Sequence, residues 1–242
     1  MGVFFSLLLM TMLQETSFKE KQLQYSRVKA AYQTKEITVK NLFNHKNLNY
    51  QGFRLFIRAF KKEGILEVWV KPKNEMKYRM LAEYRICSAS GALGPKRKEG
   101  DRQVPEGIYH ISHFNPQSNF HLSLGLNYPN QSDKLLGDSN PGSAIYIHGD
   151  CVTIGCLPMT DDIMQELYII AVEARNSGQG NIPVHIYPTR LDEPDLIKLE
   201  GEWQDDPGKI RFWKNLQTIY RDFESNRTLR RVYVNAKGEY HF

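Results

Sequence analysis

Three cysteines, at positions 87, 151 and 156, are the only thiols in 242 residues, and two of them lie five residues apart beside a histidine. The segment is Ile145–Thr160, IYIHGDCVTIGCLPMT. A free thiol is mostly protonated at neutral pH, and a nearby imidazole that takes its proton makes it a far better nucleophile. His148 and Cys156 are the candidates for that pairing. Gly149 follows the histidine, and Cys156 comes seven residues later behind Thr153-Ile154-Gly155. Gly155 has no Cβ, so a substrate carbonyl can approach the backbone there. The amides of Gly155 and Cys156 are then expected to face the developing oxyanion.

Other readings of the same residues compete. Cys151 could pair with Cys156 in an oxidising compartment and mask the nucleophile; the preferred reading is an inert small side chain. His148, Cys151 and Cys156 give H-x2-C-x4-C, three ligands at a nonstandard spacing without a fourth, so no metal is expected. Cys87 ends an alternating strand and reads as a packing residue. His185, between Val184 and Ile186, is expected to be a packed or solvated histidine, with a pocket role as the alternative. Lys96-Arg97-Lys98 reads as a solvated loop, with attraction of carboxylate-bearing ligands as the alternative. Asp101 and Glu106 flank a proline-containing loop and read as turn residues. Asp161 and Asp162 read as charges at a helix N-terminus.

The elements that position these residues follow from periodicity. Tyr78, Met80, Ala82, Tyr84 and Ile86 alternate with charged residues, the mark of a half-buried strand. Phe53–Ala59 and Ile65–Val70 predict strands joined by a turn at 61–64, and Gly107–His113, Phe120–Leu124, Ala144–His148 and Pro183–Tyr187 predict further short ones. Gln14–Thr34 is polar and free of Gly and Pro, which suits a helix. Asp162–Asn176 is a clearer one, with Ile163, Leu167, Ile170, Ala171 and Ala174 on one face and Gly178 placed as a C-terminal cap. Beyond Arg190, Ile210, Trp213, Leu216, Tyr220 and Phe223 predict a second amphipathic helix, followed by a small hairpin around Lys237-Gly238.

Composition sets the limits. With 41% hydrophobic, 12% aromatic and 24% charged residues, the chain can bury a sizeable core, and wholesale disorder is excluded. A net charge of +5 does not single out nucleic acid as a partner. Met1–Leu13 is uncharged and apolar, but a bilayer span takes about 20 residues. The segment reads as the core of an export signal, although a basic leader and a clear cleavage site are missing.

IHG followed by [ST]-x-G-C resembles the signature of the L,D-transpeptidase catalytic-domain (YkuD-type) family of bacterial cell-wall enzymes. Upstream, Ser88-Ala89-Ser90-Gly91, Gly94-Pro95-Lys96 and Gly100–Tyr109 resemble its glycine-rich lead-in and its proline–glycine–aromatic element. Phe114-Asn115-Pro116, Asn127-Tyr128-Pro129-Asn130 and Val184–Pro188 resemble more particularly the YafK-like branch. The resemblance spans roughly Tyr50 to Arg190.

The resemblance implies a catalytic β-sandwich (residues 48–190); with the N-terminal helical segment (14–47) and the C-terminal helical extension with a small hairpin (191–242) read from periodicity, the chain is expected to be α+β, mainly β. The resemblance also implies a cysteine acyl-enzyme mechanism, peptidoglycan stem peptides as partners, no cofactor, and export to the periplasm or cell envelope. Cys156 would be the nucleophile, His148 its base, and the Gly149 carbonyl the group that orients the imidazole. Thr153 would hydrogen-bond in the pocket or close a turn.

Three departures bear on the acceptor. The His-to-Cys loop is shorter than in the cross-linking members, Ile154 replaces a histidine, and Leu157-Pro158-Met159 lacks an arginine. Hydrolysis of the same bond, including detachment of a wall-linked lipoprotein, therefore stands beside cross-linking. A noncatalytic wall-binding module is the remaining alternative, and the presence of both Cys156 and His148 speaks against it.

Overall fold

The computed structural model describes residues 16–242; the signal-like segment 1–13 lies outside them. Two helices open the described chain, α1 (Phe18–Leu23) and α2 (Ser26–His45). Eight strands then form one sheet: β1 (Phe53–Phe60), β2 (Ile65–Pro72), β3 (Arg79–Arg85), β4 (Gly107–Asn115), β5 (Ser123–Leu126), β6 (Tyr146–His148), β7 (Leu157–Pro158) and β8 (Ile182–Tyr187). Their order is β3-β2-β1-β8-β4-β5-β6-β7. Between them lie α3 (Gln131–Leu136) and α4 (Asp161–Asn176). After them come α5 (Glu193–Glu202), α6 (Pro207–Asn226) and the hairpin β9 (Tyr233–Val234) and β10 (Tyr240–His241).

The chain is thus α+β. The sandwich expected from the strand pattern takes the form of one curled sheet faced by helices. The reason is visible in β1, FRLFIRAF, which is apolar on both sides as a strand covered twice must be. Leu55, Ile57 and Ala59 join the core under α2 and α4, with Val39, Phe43, Leu167 and Ile170. Phe60 points the other way and packs with Tyr187, Trp213, Leu216 and Tyr220 beneath α5 and α6.

Several boundaries differ from the sequence reading. The expected Gln14–Thr34 helix is two helices, broken near Gln24-Tyr25, and the second runs on to His45. The strand expected at Phe120–Leu124 begins at Ser123, because Phe120 and His121 form a turn in which His121 has φ of 62°. α4 begins one residue earlier than expected, at Asp161, capped by Thr160 Oγ1, which accepts from the Ile163 amide at 3.4 Å, and Gly178, with φ of 93°, ends it as expected. The helix α5 was not expected; its apolar face is only Leu196 and Leu199.

Candidate active site

The sheet edge β5-β6-β7 carries the candidate residues. β6 pairs antiparallel with β5 and parallel with β7, with Ile147 opposite Leu157 and His148 opposite Pro158. Extending that register by one places Cys156 beside Tyr146, and the Tyr146 amide donates to Cys156 Sγ at 3.4 Å. Side chains alternate along a strand, so His148 and Cys156 share a face of adjacent strands, offset by two residues.

His148 is 3% exposed. Its Nδ1 lies 2.5 Å from the carbonyl oxygen of Gly149. A carbonyl only accepts, so Nδ1 carries the hydrogen and the neutral ring keeps its lone pair on Nε2. Burial lowers the imidazole pKa from its ordinary 6.5, against smaller opposing effects of the Gly149 hydrogen bond and Asp150. The Phe120 ring covers it, with centroids 4.9 Å apart. Gly149 is required by space: a Cβ there would stand 2.5 Å from Asp161 Oδ1 and 2.9 Å from His121 Cβ. Asp161 Oδ1 also accepts from the Asp150 amide at 2.8 Å, so this helix-terminal acid holds the turn after the histidine as well.

Cys156 is the free cysteine of the chain. It lines a cavity of about 310 Å³ with Lys61, Lys62, Ile86, Ser88, Ser90 and Leu93 among the walls. Burial raises the thiol pKa, with the Tyr146 amide and Lys96 opposing. Sγ donates to the Ala144 carbonyl at 3.7 Å, the posture of a resting thiol. Among the hydrogen bonds of the described residues none joins His148 to Cys156, and His148 is not part of that cavity's lining.

Thr153 closes a turn: its Oγ1 accepts from the Gly155 and Cys156 amides at 3.2 and 2.8 Å and donates to the Cys156 carbonyl at 2.9 Å. This corrects the expectation that those amides face a substrate oxygen, since the hydroxyl three residues back already occupies both. Gly155 has φ of 137°, and the Gln103 carbonyl lies 3.1 Å from where its Cβ would be, so the glycine permits the lead-in segment to close on the loop.

Four further expectations are corrected. Cys151 is joined to Cys87 in a disulfide across 64 residues, so it neither pairs with Cys156 nor stands as an inert thiol, and Cys87 is more than a packing residue. The same bond removes Cys151 from the considered zinc triad. Lys96 is buried, its Nζ bonded to Asp101 Oδ1 at 2.5 Å and to the Lys98 carbonyl at 2.8 Å, whereas a solvated loop was expected. Glu106 is fully buried and not a turn residue: its carboxylate accepts from the Gly94 amide (2.7 Å) and from Trp213 Nε1 (2.7 Å). It also pairs with Lys61 Nζ at 3.0 Å. Lys61 in turn donates to the carbonyls of Gly94 and Val104, so α6 braces the wall of the cysteine cavity through two buried charges. Asp101 does hold a turn, accepting from the amides of Arg97, Lys98 and Gln103. His185 is buried against Phe56 and Tyr187 within β8, as a packed histidine.

Sequence comparison defines the class. The model of the YkuD L,D-transpeptidase catalytic domain matches residues 56–186, more than half of the chain, and the chain belongs to this family. Two Escherichia coli proteins, from strains K12 and O157:H7, both named "Putative L,D-transpeptidase YafK", are 34% identical to it over 179 residues, covering 73% of this chain and 69% of theirs. Among solved structures, the helical cell shape determining protein Pgp2 of Campylobacter jejuni is 17% identical, covering 87% of this chain and 82% of that one, with a TM-score of 0.46. Bd1075 of Bdellovibrio bacteriovorus is 22% identical, covering 71% of each, with a TM-score of 0.41. No helix of the described residues is long and apolar enough to cross a membrane.

Proposed function

We propose that this chain is an exported cysteine acyltransferase of peptidoglycan, with Cys156 as nucleophile and His148 as base. The observation that carries the reading is the free thiol in a ligand-sized cavity, one strand from an imidazole whose Nδ1 is fixed on the Gly149 carbonyl. Because burial raises the thiol and lowers the imidazole, both rest neutral, and proton transfer accompanies attack. A side-chain rotation that brings Sγ to Nε2 is part of this reading.

Sγ attacks the carbonyl at the L-centre of the diamino acid in a stem peptide while its proton passes to His148 Nε2. The peptide C–N bond breaks, the amine leaves with that proton, and a thioester remains on Cys156. An incoming amine or water then attacks the thioester, gives its proton to Nε2, and releases the thiol as the proton returns to sulfur. Gly149 orients the ring; Thr153 and Gly155 hold the Cys156 backbone against the lead-in segment.

Export accords with the disulfide between Cys87 and Cys151, a bond that persists in oxidising compartments. The test is mass spectrometry of muropeptides incubated with the protein. New 3–3 cross-links identify an amine acceptor; loss of a terminal residue or of a linked lipoprotein identifies water. Muropeptides left unchanged under both assays would sink the proposal.

A further inference from the structure

The segment 93–97 borders two cavities. Leu93 lines the cavity of Cys156, whereas Pro95 and Arg97 line a cleft of about 600 Å³. Leu136 of α3 adds to that side, and the other walls of this cleft come from the start of α6 and the β9–β10 turn, outside residues 56–186 matched to the family. The C-terminal extension thus supplies most of its walls and the family-matched residues the rest.

Its charge is unbalanced. Of the two acids on its walls, Asp206 pairs with Lys209 Nζ at 3.2 Å and accepts from the Lys209 amide at 3.0 Å, and Glu239 Oε2 is held by Asn235 Nδ2 at 3.0 Å, one carboxylate against the two free cations Arg211 and Lys237. Arg211 and Lys237 are exposed and form no ion pair among the described residues. The Arg97 guanidinium stands 5.0 Å over the Phe212 ring. Its Nη1 is enclosed and pairs with buried Asp133 Oδ1 at 3.6 Å, so the guanidinium is held in place at the edge of the cleft. A ligand-sized cleft lined by free cations is suited to an anionic ligand.

We propose that this cleft is a second substrate site that binds the free carboxylates of a murein peptide whose scissile bond lies in the Cys156 cavity. The inference rests on the function proposed above, which supplies a ligand bearing several carboxylates. The residue between the sites is rigidly held: Gly94 is bonded through its amide to Glu106 and through its carbonyl to Lys61. A peptide engaging both sites therefore meets fixed walls, and the second contact adds affinity without new chemistry.

The test compares binding of a fluorescently labelled, cross-linked muropeptide dimer to two proteins at low and moderate salt. One carries Cys156→Ala; the other adds Arg211→Gln and Lys237→Gln. The added pair is expected to raise Kd roughly three- to tenfold and to flatten its salt dependence. Arg211→Lys is expected to keep the affinity, and the unfolding temperature to stay unchanged. Amidating the ligand's carboxylates is expected to reproduce the loss on the first protein and add little on the second. Equal Kd values and salt slopes for the two proteins would overturn the cleft and leave the cysteine mechanism standing. Binding to neither protein would overturn both.

Discussion

His148 and His185 are each 3% exposed, and burial lowers the pKa of both. His185 sits within β8, its Nδ1 3.1 Å from the Tyr187 hydroxyl and its ring edge-on to Phe56 at 4.7 Å. Arg58 nearby adds a positive charge that disfavours protonation. His148 sits at the end of β6, where the strand gives way to the Gly149 turn, with a carbonyl on Nδ1 and a free cysteine on the next strand. The comparison teaches that burial and a depressed pKa do not by themselves mark a base. What sets the proposed base apart is a fixed tautomer at a strand end, close in the sheet to the proposed nucleophile.

The sharpest way to break this contrast is to alter each histidine's side of the molecule in turn. Cys156→Ala is expected to abolish muropeptide turnover, and His148→Ala to reduce it by about 10²- to 10⁴-fold with the fold intact by circular dichroism. His185→Ala is expected to cost about 2–4 kcal/mol of stability in denaturant unfolding, as core truncations do. It should change iodoacetamide alkylation of the folded protein's Cys156 little. A large loss of Cys156 reactivity in His185→Ala, at unchanged stability, would erase the contrast.

The disulfide adds a second comparison. Cys87→Ser with Cys151→Ser is expected to lower stability by about 2–4 kcal/mol, read from the urea midpoint, because a loop of 64 residues is released. The variant keeps both candidate groups, His148 within the released loop and Cys156 just beyond it, so turnover should fall less than in His148→Ala.

Acid titration offers a graded effect, small over any one pH unit. The unfolded His185 imidazole binds its proton near 6.5, the folded one only at about 3. Its contribution to stability is therefore present above 6.5 and declines as pH falls from 6.5 toward 3, at no more than about 1.4 kcal/mol per pH unit. His185→Gln should flatten that segment of the stability profile, measured by urea unfolding at each pH. A profile unchanged by the substitution would count against the buried, neutral ring.

The sequence made some of this legible because the signals were local. The alternation from Tyr78 to Ile86, the apolar face of α4 and the IHG and Gly-Cys blocks each lie within one element or one loop, where periodicity and spacing speak directly. What escaped depends on long-range pairing. Cys87 meets Cys151 across 64 residues, and Trp213 meets Glu106 across 107. Neither partner's chain neighbourhood announces the other. Lys96 looked solvated within a basic run, but Asp101 folds back to bury it. Phe120 was assigned to a strand because its type favours one; its turn conformation instead lays the ring on His148.

The central claim is that Cys156 carries the acyl group and His148 takes its proton. Intact-protein mass spectrometry of an acid-quenched reaction with a stem tetrapeptide, followed by peptide mapping, measures it most directly. A thioester adduct is expected on the peptide containing Cys156, formed in the native protein and strongly slowed in His148→Ala. An adduct on another residue, or equal adduct formation with and without His148, would contradict the account.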